Sequence, residues 1–456
     1  MRATLDAFVQ NVLADTGEGD LLTEEGVEDY ALGGRAPSLI ARPATHESAA
    51  RTLARATEAG FGVVPWGGGT GRRTGYPPER YEVALSTERR AAAVDFLRED
   101  LTAVVGAGMT VEALGRLTAP EGQTAGLDPA HPGAATVGGA FVAERSGPMQ
   151  VCYGRTRDRV MRMRVALADG TTHTYGALVV KNVTGYDMNR LLSGSWGTLA
   201  LVTEVAVRLY KEPERRGGLA AAFPGAAEAF AAARTLMKTA LSPLWVEVLD
   251  AGRLASLPEG CPALPGRWRL AAAFGDFEAG LADQLRICEG ILTKAGGEDL
   301  LPIDEEETRR LGGAFADPPG GEFAGADALA LRASGQADRL PRFAEAAREA
   351  AGRGGYRLAT AAHAGSGVLR AWLAPEVGSA SPREAWEIFA ARCREGGTPG
   401  RTAHVRLDAG PGDLGDSVAL WGEDALEPAA LDLMRRIKRE FDPERTLSPG
   451  RFAGRL

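Results

Sequence analysis

The first half of this sequence contains a glycine cluster of a kind that binds anionic groups. A short apolar run, Val63-Val64-Pro65-Trp66, is followed at once by Gly67-Gly68-Gly69-Thr70-Gly71. Glycines permit positive φ angles and let consecutive N–H groups converge on one ligand, which suits a phosphate or a pyrophosphate. A tight loop between two strands is the alternative explanation of such a run when it stands alone.

A second cluster follows at Asp128–Gly139 and continues to Gly147. It contains Thr136, with a hydroxyl group, and Gly138-Gly139, whose amides stand at the predicted start of a helix. A hydroxyl and small residues at a helix start favour a phosphate or a ribityl chain.

A third cluster contains Gly185, Gly194 and Gly197 and ends in the strand pattern 199–210. The three clusters together match neither a Rossmann GxGxxG unit nor a GK[ST] phosphate loop. The clusters therefore point to a fold of another kind.

Composition excludes several other classes of function. The net charge of −8 disfavours nucleic-acid binding. Four cysteines stand far apart (Cys152, Cys261, Cys288 and Cys393), so neither an iron–sulfur cluster held by this chain alone nor a disulfide framework is expected. We find no signal-peptide pattern and no apolar run able to span a bilayer, and we expect a cytoplasmic protein.

Local patterns predict the elements that carry the clusters. Thr45 is expected to cap a helix that ends at Gly60, and a strand at 62–66 leads into the first cluster. Asp169-Gly170 predicts a hairpin turn, and the alternating segment 199–210 predicts a core strand. Further strands are expected at 83–85 and 102–106, with a helix capped by Thr110.

A change of composition at 211–218 predicts a domain boundary. We expect a helical lead-in at 1–34, a domain at 35–212 and a second domain from 213. Alternating Ala-rich helices and short strands make that second domain α+β. The acidic, then Gly/Pro-rich segment 302–323 is predicted to be a loop.

Longer stretches carry a resemblance to a known family. PWGGGTG, DPAHPGAATVGG, YGRTRDRVMRMRVALADG and KNVTGYDMNRLLSGSWGTLALVTEV, in that order, resemble the FAD-binding domain of the vanillyl-alcohol oxidase (PCMH) type. FDPERTLSPGRF at 441–452 resembles the FDP…NPGR tail of FAD-linked oxidases. The KNVTGYD and GSWGTL motifs are similar to those of the FAD-binding subunit of bacterial glycolate oxidase.

The resemblance implies an α+β protein in which the three glycine clusters converge in space around one flavin nucleotide. A PCMH-type two-part FAD-binding domain would occupy 35–212, an α+β FAD-linked oxidase-type substrate or cap domain 213–424, and a segment at 425–456 would return to the FAD domain. It implies non-covalent FAD, because the first cluster lacks the histidine of flavinylated relatives. The implied cofactor contacts are Pro65, Gly67, Gly68, Gly69, Thr70 and Gly71 at the pyrophosphate, Pro129, Thr136, Gly138 and Gly139 in the second cluster, Ser146 and Gly147 near the flavin, and the backbone of Val202 at the adenine.

The family's GHAGDGNLH segment is altered in this sequence, which reads AHAGSGVLR at 362–370. His363 remains, Ser366 replaces an aspartate and Arg370 replaces the second histidine. His363, as a base, and Arg370, as a carboxylate clamp, are the catalytic candidates, although each is equally explained as a packed histidine and a solvated arginine. One histidine is too few ligands for a divalent metal, so we expect none. Ser448 also replaces the usual asparagine of the tail.

Three functions follow from these residues. The first is a subunit of a glycolate oxidase-like 2-hydroxy-acid dehydrogenase complex, with a larger FAD catalytic subunit and an iron–sulfur subunit as partners. The second is a self-sufficient FAD-dependent glycolate or D-lactate dehydrogenase. The third is a degenerate, non-enzymatic scaffold, which the intact glycine clusters argue against.

Overall fold

The computed structural model describes residues 2–16, 21–179, 185–396 and 403–456. The chain forms two compact units. Unit 1 comprises residues 1–146, 155–212 and 423–456, and unit 2 comprises residues 147–154 and 213–422. The segment 423–456, here called the return segment, therefore belongs to unit 1 although the whole second half of the chain precedes it.

The first sheet of unit 1 carries the strand that leads into the first glycine cluster. Its strand order is β1-β2-β4-β3, with β4 parallel to both β2 and β3. The predicted helix after β2 is confirmed, since the Thr45 hydroxyl accepts a hydrogen bond from Ser48 N and Gly60 has φ 69° at the other end. The strands are β1 Leu21–Thr23, β2 Leu39–Arg42, β3 Val63–Trp66 and β4 Val83–Ser86, and the helices are α1 Arg2–Thr16 and α2 His46–Glu58.

The second sheet of unit 1 is antiparallel, with the order β5-β6-β10-β8-β9. The predicted Asp169-Gly170 turn joins β8 to β9, with Gly170 at φ 83°. The elements of this part are β5 Ala93–Leu97, β6 Thr102–Gly106, β7 Gln123–Thr124, β8 Val160–Ala166, β9 Thr172–Gly176, β10 Leu201–Arg208 and β11 Tyr210–Lys211, with helices α3 Val111–Thr118, α4 Val137–Val142 and α6 Met188–Leu192.

The core of this sheet is formed by the alternating apolar residues of its central strands. Val105, Val165 and Val205 are fully buried and belong to one hydrophobic cluster with Phe141 of α4. The alternating segment is therefore a core strand, as the sequence predicted, and β10 is buried on both faces from Leu201 to Val207. The same packing places α4, and with it the second glycine cluster, against β10.

The return segment extends the first sheet. After helix α13 (Pro428–Phe441), Thr446 O accepts a hydrogen bond from Val63 N, and Ser448 N donates to Val63 O, both at 2.7 Å. These bonds form a parallel bridge between Leu447 and Val63 of β3. The strand that precedes the first glycine cluster is thus held on one side by the return segment.

Unit 2 is built on an antiparallel sheet of eight strands within the described residues. The strand order is β15-β12-β14-β13-β17-β18-β16-β19. The strands are β12 Arg215–Phe223, β13 Pro243–Asp250, β14 Trp268–Asp276, β15 Glu298–Ile303, β16 Leu329–Ser334, β17 Tyr356–His363, β18 Val368–Pro375 and β19 His404–Ala409; the helices are α5 Gln150–Tyr153, α7 Ala226–Leu236, α8 Ala251–Ala255, α9 Glu278–Lys294, α10 Glu305–Ala316, α11 Leu340–Gly354 and α12 Pro382–Arg394.

The prediction of a loop at 302–323 is wrong. β15 ends at Ile303, and α10 begins directly after Asp304, which forms a capping box with Glu307. Three acidic residues in the first turn, Glu305 to Glu307, interact favourably with the positive end of the helix dipole. The acidic run is therefore a helix start rather than a loop.

The N-terminal lead-in is helical only in part. Helix α1 is followed by strand β1, which pairs antiparallel with β2. Across the described ranges, no helix combines the length and apolar character needed to cross a membrane.

Candidate functional site

The three glycine clusters meet around one pocket in unit 1. The pocket is lined by residues of the first cluster, the second cluster and the third, and by one residue of the return segment. Lining positions include Val64, Pro65, Trp66, Gly67, Gly68, Gly69, Thr70, Gly71, Arg72, Pro129, Ala130, Ala135, Thr136, Gly139, Ala140, Arg145, Trp196 and Arg451. The convergence expected from the sequence is thus observed.

Close approach of the backbones explains the first two glycines of the first cluster. A Cβ atom on Gly67 would lie 2.3 Å from Thr136 Oγ1, and one on Gly68 would lie 1.6 Å from Ala134 O. Neither distance is possible for a side chain, so these glycines let the first cluster pack directly on the second. In the run 67–69, only Gly69 has a positive φ, of 69°, so steric access matters here more than backbone handedness.

The third cluster closes the same pocket from another side. A Cβ atom on Gly71 would lie 3.1 Å from the Trp196 ring, and one on Gly197 would lie 3.2 Å from Pro65 Cγ. Gly197 has φ 70°, which few other residues adopt readily. Residues 181–184 of the KNVTGYD motif lie outside the described residues.

Amides of the second cluster are used within the protein. Thr136 caps α4 by accepting a hydrogen bond from Gly139 N at 3.1 Å, and Gly138 N donates to Ala107 O at 2.9 Å. The expectation that both glycines offer bare amides to a phosphate is therefore not what the geometry favours. Thr136 and Gly139 line the pocket, and Gly138 allows α4 to approach Ala107, whose Cβ would lie 2.6 Å from an added Cβ.

Three arginines give the pocket a positive charge. Arg72, Arg145 and Arg451 line it, and no Asp or Glu does so within the described part of the chain. Arg145 donates to Thr74 Oγ1 at 2.8 Å and stacks over the Trp196 ring, with 5.2 Å between guanidinium and ring centroid. Cationic groups with consecutive glycine backbone suit an anionic ligand such as a pyrophosphate.

Arg451 comes from the return segment and is buried in unit 1. Its guanidinium donates to Thr74 O at 3.0 Å and to Tyr76 O at 3.4 Å. Burial lowers the pKa of Arg451 to about 10, so the group keeps its charge at neutral pH. Arg451 was not among the residues expected at the cofactor, and neither were Arg145 and Trp196. The PGRF motif contains Arg451 but does not indicate where its side chain lies.

The other predicted cofactor contacts, Ser146, Gly147 and Val202, are not among the residues that line the pocket. Ser146 Oγ accepts a hydrogen bond from Thr156 N at 3.1 Å, and Gly147 begins the segment 147–154 of unit 2. Val202 lies in β10, 5% exposed and paired with Val165 of β8. Ser448 is buried, and its hydroxyl donates to Gly197 O at 3.3 Å. Their roles toward a cofactor stay predictions.

A separate polar pair lies in the sheet of unit 2. Glu247 of β13 stands directly opposite His363 of β17, and Glu247 Oε1 lies 2.5 Å from His363 Nδ1. Both side chains are buried. Burial raises the pKa of Glu247 to about 8. Burial first, and then the charges of Arg370, Arg332 and Arg253, lower the pKa of His363.

Arg370 is engaged with a helix end. Its guanidinium donates to the carbonyl oxygens of Phe315 and Ala316, the last residues of α10, and stacks over the Trp372 ring at 5.0 Å. Arg253 donates to Ala314 O and Asp317 O at the same helix end. Cations at a helix C-terminus are favourable. Arg370 is therefore held by the protein itself, and its role as a carboxylate clamp stays a prediction.

Metal chemistry has little support in this arrangement. Among the residues that the structure describes, no three or more His, Cys, Asp and Glu side chains form a group able to hold a metal ion. The Glu247–His363 pair alone offers two ligands.

Two family models match the sequence. An FAD binding domain matches residues 37–176, and the C-terminal domain of FAD linked oxidases matches residues 212–398 and 415–452. The two matches together span most of both units. They indicate FAD as the cofactor of this chain, as the sequence predicted.

Curated relatives align over nearly the whole chain. An uncharacterised FAD-linked oxidoreductase of Mycobacterium tuberculosis is 28% identical over 99% of this chain and 98% of its own length. A D-lactate dehydrogenase of Archaeoglobus fulgidus is 27% identical, covering 92% of each chain. The glycolate oxidase subunit GlcD of Bacillus subtilis is 26% identical over 91% of this chain and 89% of its own.

Solved structures agree on the fold. p-Cresol methylhydroxylase has a TM-score of 0.75 with 17% identity, covering 99% of this chain and 97% of its own. An alkyldihydroxyacetonephosphate synthase has a TM-score of 0.71, also with 17% identity, covering 97% of this chain and 86% of its own. The predicted α+β, PCMH-type fold is confirmed.

Proposed function

The chain belongs to the FAD-linked oxidoreductases of the glycolate oxidase and D-lactate dehydrogenase family, and we propose that it oxidises the alcohol group of a small 2-hydroxy acid. The observation that carries the proposal is the pocket of unit 1. Three glycine clusters meet there, three arginines line it, and no lining residue is acidic within the described part. This donor set fits the pyrophosphate of FAD.

The protein groups expected to hold the cofactor follow from that lining. The backbone of Gly67–Thr70, together with Arg72 and Arg451, supplies donors and positive charge for the pyrophosphate. Pro65, Trp66 and Trp196 supply the apolar walls. The first cluster contains no histidine, so we propose that the flavin is bound without a covalent link.

The proposed reaction divides into a hydride and a proton. Bound FAD supplies a two-electron acceptor, which takes the hydride from C2 of the 2-hydroxy acid. The hydroxyl proton must pass to a base, and we assign that base to His363 of unit 2. The product is the corresponding 2-oxo acid. Glycolate and D-lactate are the first substrates to test, because they are named in the relatives.

The chain is also proposed to work within a complex. The relative GlcD is named as a subunit of glycolate oxidase, and reduced flavin needs an onward electron acceptor. We propose a larger FAD catalytic subunit and an iron–sulfur subunit as partners. The engagement of Arg370 with helix α10 favours this role over a self-sufficient dehydrogenase, since it leaves that residue's guanidinium committed to the protein.

The decisive experiment uses the full chain purified as expressed. A visible flavin spectrum, with flavin released on denaturation, is expected; a colourless protein that does not bind added FAD would instead support a cofactor-free scaffold. Glycolate, D-lactate and L-lactate are then tested with an artificial dye acceptor. Turnover by the chain alone supports the self-sufficient enzyme. Turnover that needs the co-expressed partners supports the subunit, and no reduction of the flavin under either condition contradicts the proposed reaction.

A further inference from the structure

The strand pairing in unit 2 fixes a carboxylate beside the only histidine that the altered GHAGDGNLH segment keeps. Residues directly opposite in an antiparallel pair project to the same face, with their Cβ atoms close together. Glu247 and His363 occupy such opposite positions in β13 and β17. The 2.5 Å contact between Oε1 and Nδ1 therefore follows from the register of two rigid strands.

In each of the two side chains, the polar atom that is not part of this contact is buried and has no hydrogen-bond partner. Glu247 Oε2 and His363 Nε2 are enclosed without a hydrogen-bond partner, while the side chains are 0% and 4% exposed. An unsatisfied buried polar atom costs about 1–3 kcal/mol. Buried polar atoms without a partner are uncommon in native proteins, and a catalytic role is one of the explanations for them. Nε2 is the other ring nitrogen of the imidazole. When a carboxylate is bound to Nδ1, Nε2 stays available to accept a proton.

The arginines around His363 disfavour a proton on its ring, so His363 needs the nearby Glu247 carboxylate in order to act as a base. Arg370 of β18, Arg332 of β16 and Arg253 of α8 all oppose a positive charge on the His363 ring. A histidine near three guanidinium groups is a poor proton acceptor at neutral pH. The His363 ring contacts the Glu247 carboxyl group through Nδ1, and the charge of that group, once it is ionised, offsets the repulsion at the point where a proton is gained.

We propose that Glu247 is a positioning residue that holds His363 as the base for 2-hydroxy-acid oxidation. This inference rests on the proposed function. Nδ1–H donates to the Glu247 carboxylate, which leaves the lone pair on Nε2. The O–H bond of the substrate breaks as its proton passes to Nε2, while the hydride passes from C2 to FAD and the C=O bond of the 2-oxo acid forms. The imidazolium that results is stabilised by the carboxylate, as in other base–carboxylate pairs.

The protonation of the pair sets its pH dependence. Burial raises the pKa of Glu247 to about 8. At neutral pH the pair therefore holds one proton more than the state with a carboxylate and a neutral imidazole. The state with a carboxylate and a neutral imidazole, which is the active one, gains population as the pH rises toward 8. Flavin reduction is therefore expected to increase on that alkaline side, with an apparent pKa that belongs to the pair.

The kinetic test compares Glu247→Gln with Asp250→Asn in the flavin-loaded chain, with its partners where they are needed. Gln keeps a hydrogen-bond acceptor for Nδ1–H but removes the charge. The rate of flavin reduction should fall by about 10²-fold or more, with KM nearly unchanged, and its rise near pH 8 should shift to lower pH. Asp250 is a buried carboxylate of the same strand that binds the backbone amides of Arg253 and Thr360. Asp250→Asn should lower Tm but keep the wild-type pH profile.

A second measurement does not depend on activity. The chain has five histidines, so ¹⁵N-histidine NMR gives few signals, and His363→Asn assigns the relevant ones. Wild type should have Nδ1 protonated and Nε2 unprotonated above the transition of the pair, and Glu247→Gln should move that transition to lower pH. An Nε2–H tautomer, or the same transition in both proteins, overturns the pairing.

The two measurements separate the two ways of failing. If wild type oxidises a 2-hydroxy acid and Glu247→Gln keeps its rate and pH profile, the positioning role is wrong while the proposed function stands. If none of the 2-hydroxy acids reduces the flavin of the wild-type protein, the proposed function and the base role are both wrong. NMR still decides whether the Glu247–His363 pair exists.

Discussion

The Nζ atom of Lys438 lies 2.6 Å from Oδ2 of Asp442 in the interior of unit 1. Lys438 also donates to the carbonyl oxygens of Thr198 and Leu447, at 2.7 and 2.8 Å. Asp442 accepts hydrogen bonds from the amides of Thr446 and Leu447. This buried ion pair therefore joins the return segment to the third glycine cluster.

Removing one member of this pair should destabilise unit 1. Lys438→Met leaves the Asp442 carboxylate buried without its cation, and such changes cost about 3–5 kcal/mol. Chemical denaturation measures the loss. Lys294→Met on the exposed side of α9 is the control and should change the free energy of unfolding by less than about 0.5 kcal/mol. Equal effects from both variants would contradict the role assigned to the pair.

A methyl group on Gly68 should prevent FAD binding. Its Cβ would lie 1.6 Å from Ala134 O, which forces the first and second clusters apart. Gly68→Ala should lower the flavin content of the purified protein and destabilise it by about 1–3 kcal/mol. Gly352→Ala, inside helix α11 with open space around it, should raise stability by about 0.5–1 kcal/mol and keep full flavin content. A flavin-saturated Gly68→Ala protein would disprove the close packing.

The charge of Arg451 should contribute to FAD affinity. Arg451→Gln keeps hydrogen-bonding capacity but removes a buried positive charge from the pocket. The Kd for FAD, measured by fluorescence quenching on the apoprotein, should rise about 10- to 100-fold. Arg435→Gln, at an exposed position of α13 in the same segment, should leave it unchanged. If both variants bind FAD equally well, Arg451 contributes only to the fold.

Glu247 should make the protein less stable as the pH rises. The folded chain holds a proton on this carboxyl up to about pH 8, whereas its ordinary pKa is 4.5. Between these values the folded state binds more protons than the unfolded state, so this contribution is complete at low pH and is lost as the pH rises through 8. Glu247→Gln cannot titrate. Its Tm relative to wild type should therefore increase from about pH 5 to about pH 8, and a constant difference would contradict the raised pKa.

Local signals in the sequence were sufficient for much of unit 1. The cap at Thr45, the Asp169-Gly170 turn and the alternation in β10 depend on neighbouring residues, and each is present as predicted. The glycine clusters indicated the position of the pocket because backbones that pack this closely require glycine. The acidic start of α10 was misinterpreted, since the same residues serve a helix start or an exposed loop.

Contacts between residues that are far apart in the sequence could not be predicted from local patterns. Glu247 and His363 are 116 positions apart, and no local pattern predicts that β13 lies beside β17. The same holds for Arg451, which is 375 positions from Tyr76, to which it donates. Residues of this kind become candidates only when strand order and register are known.

The bridge between Leu447 and Val63 has a consequence for biosynthesis. On the ribosome, the strand preceding the first glycine cluster emerges early, yet its neighbour in the return segment emerges only after residues 213–422 have been made. Until translation has passed Arg451, the nascent chain lacks one residue that lines the arginine-lined pocket. Premature stop codons that leave the whole of unit 2 intact should still yield protein without its yellow colour.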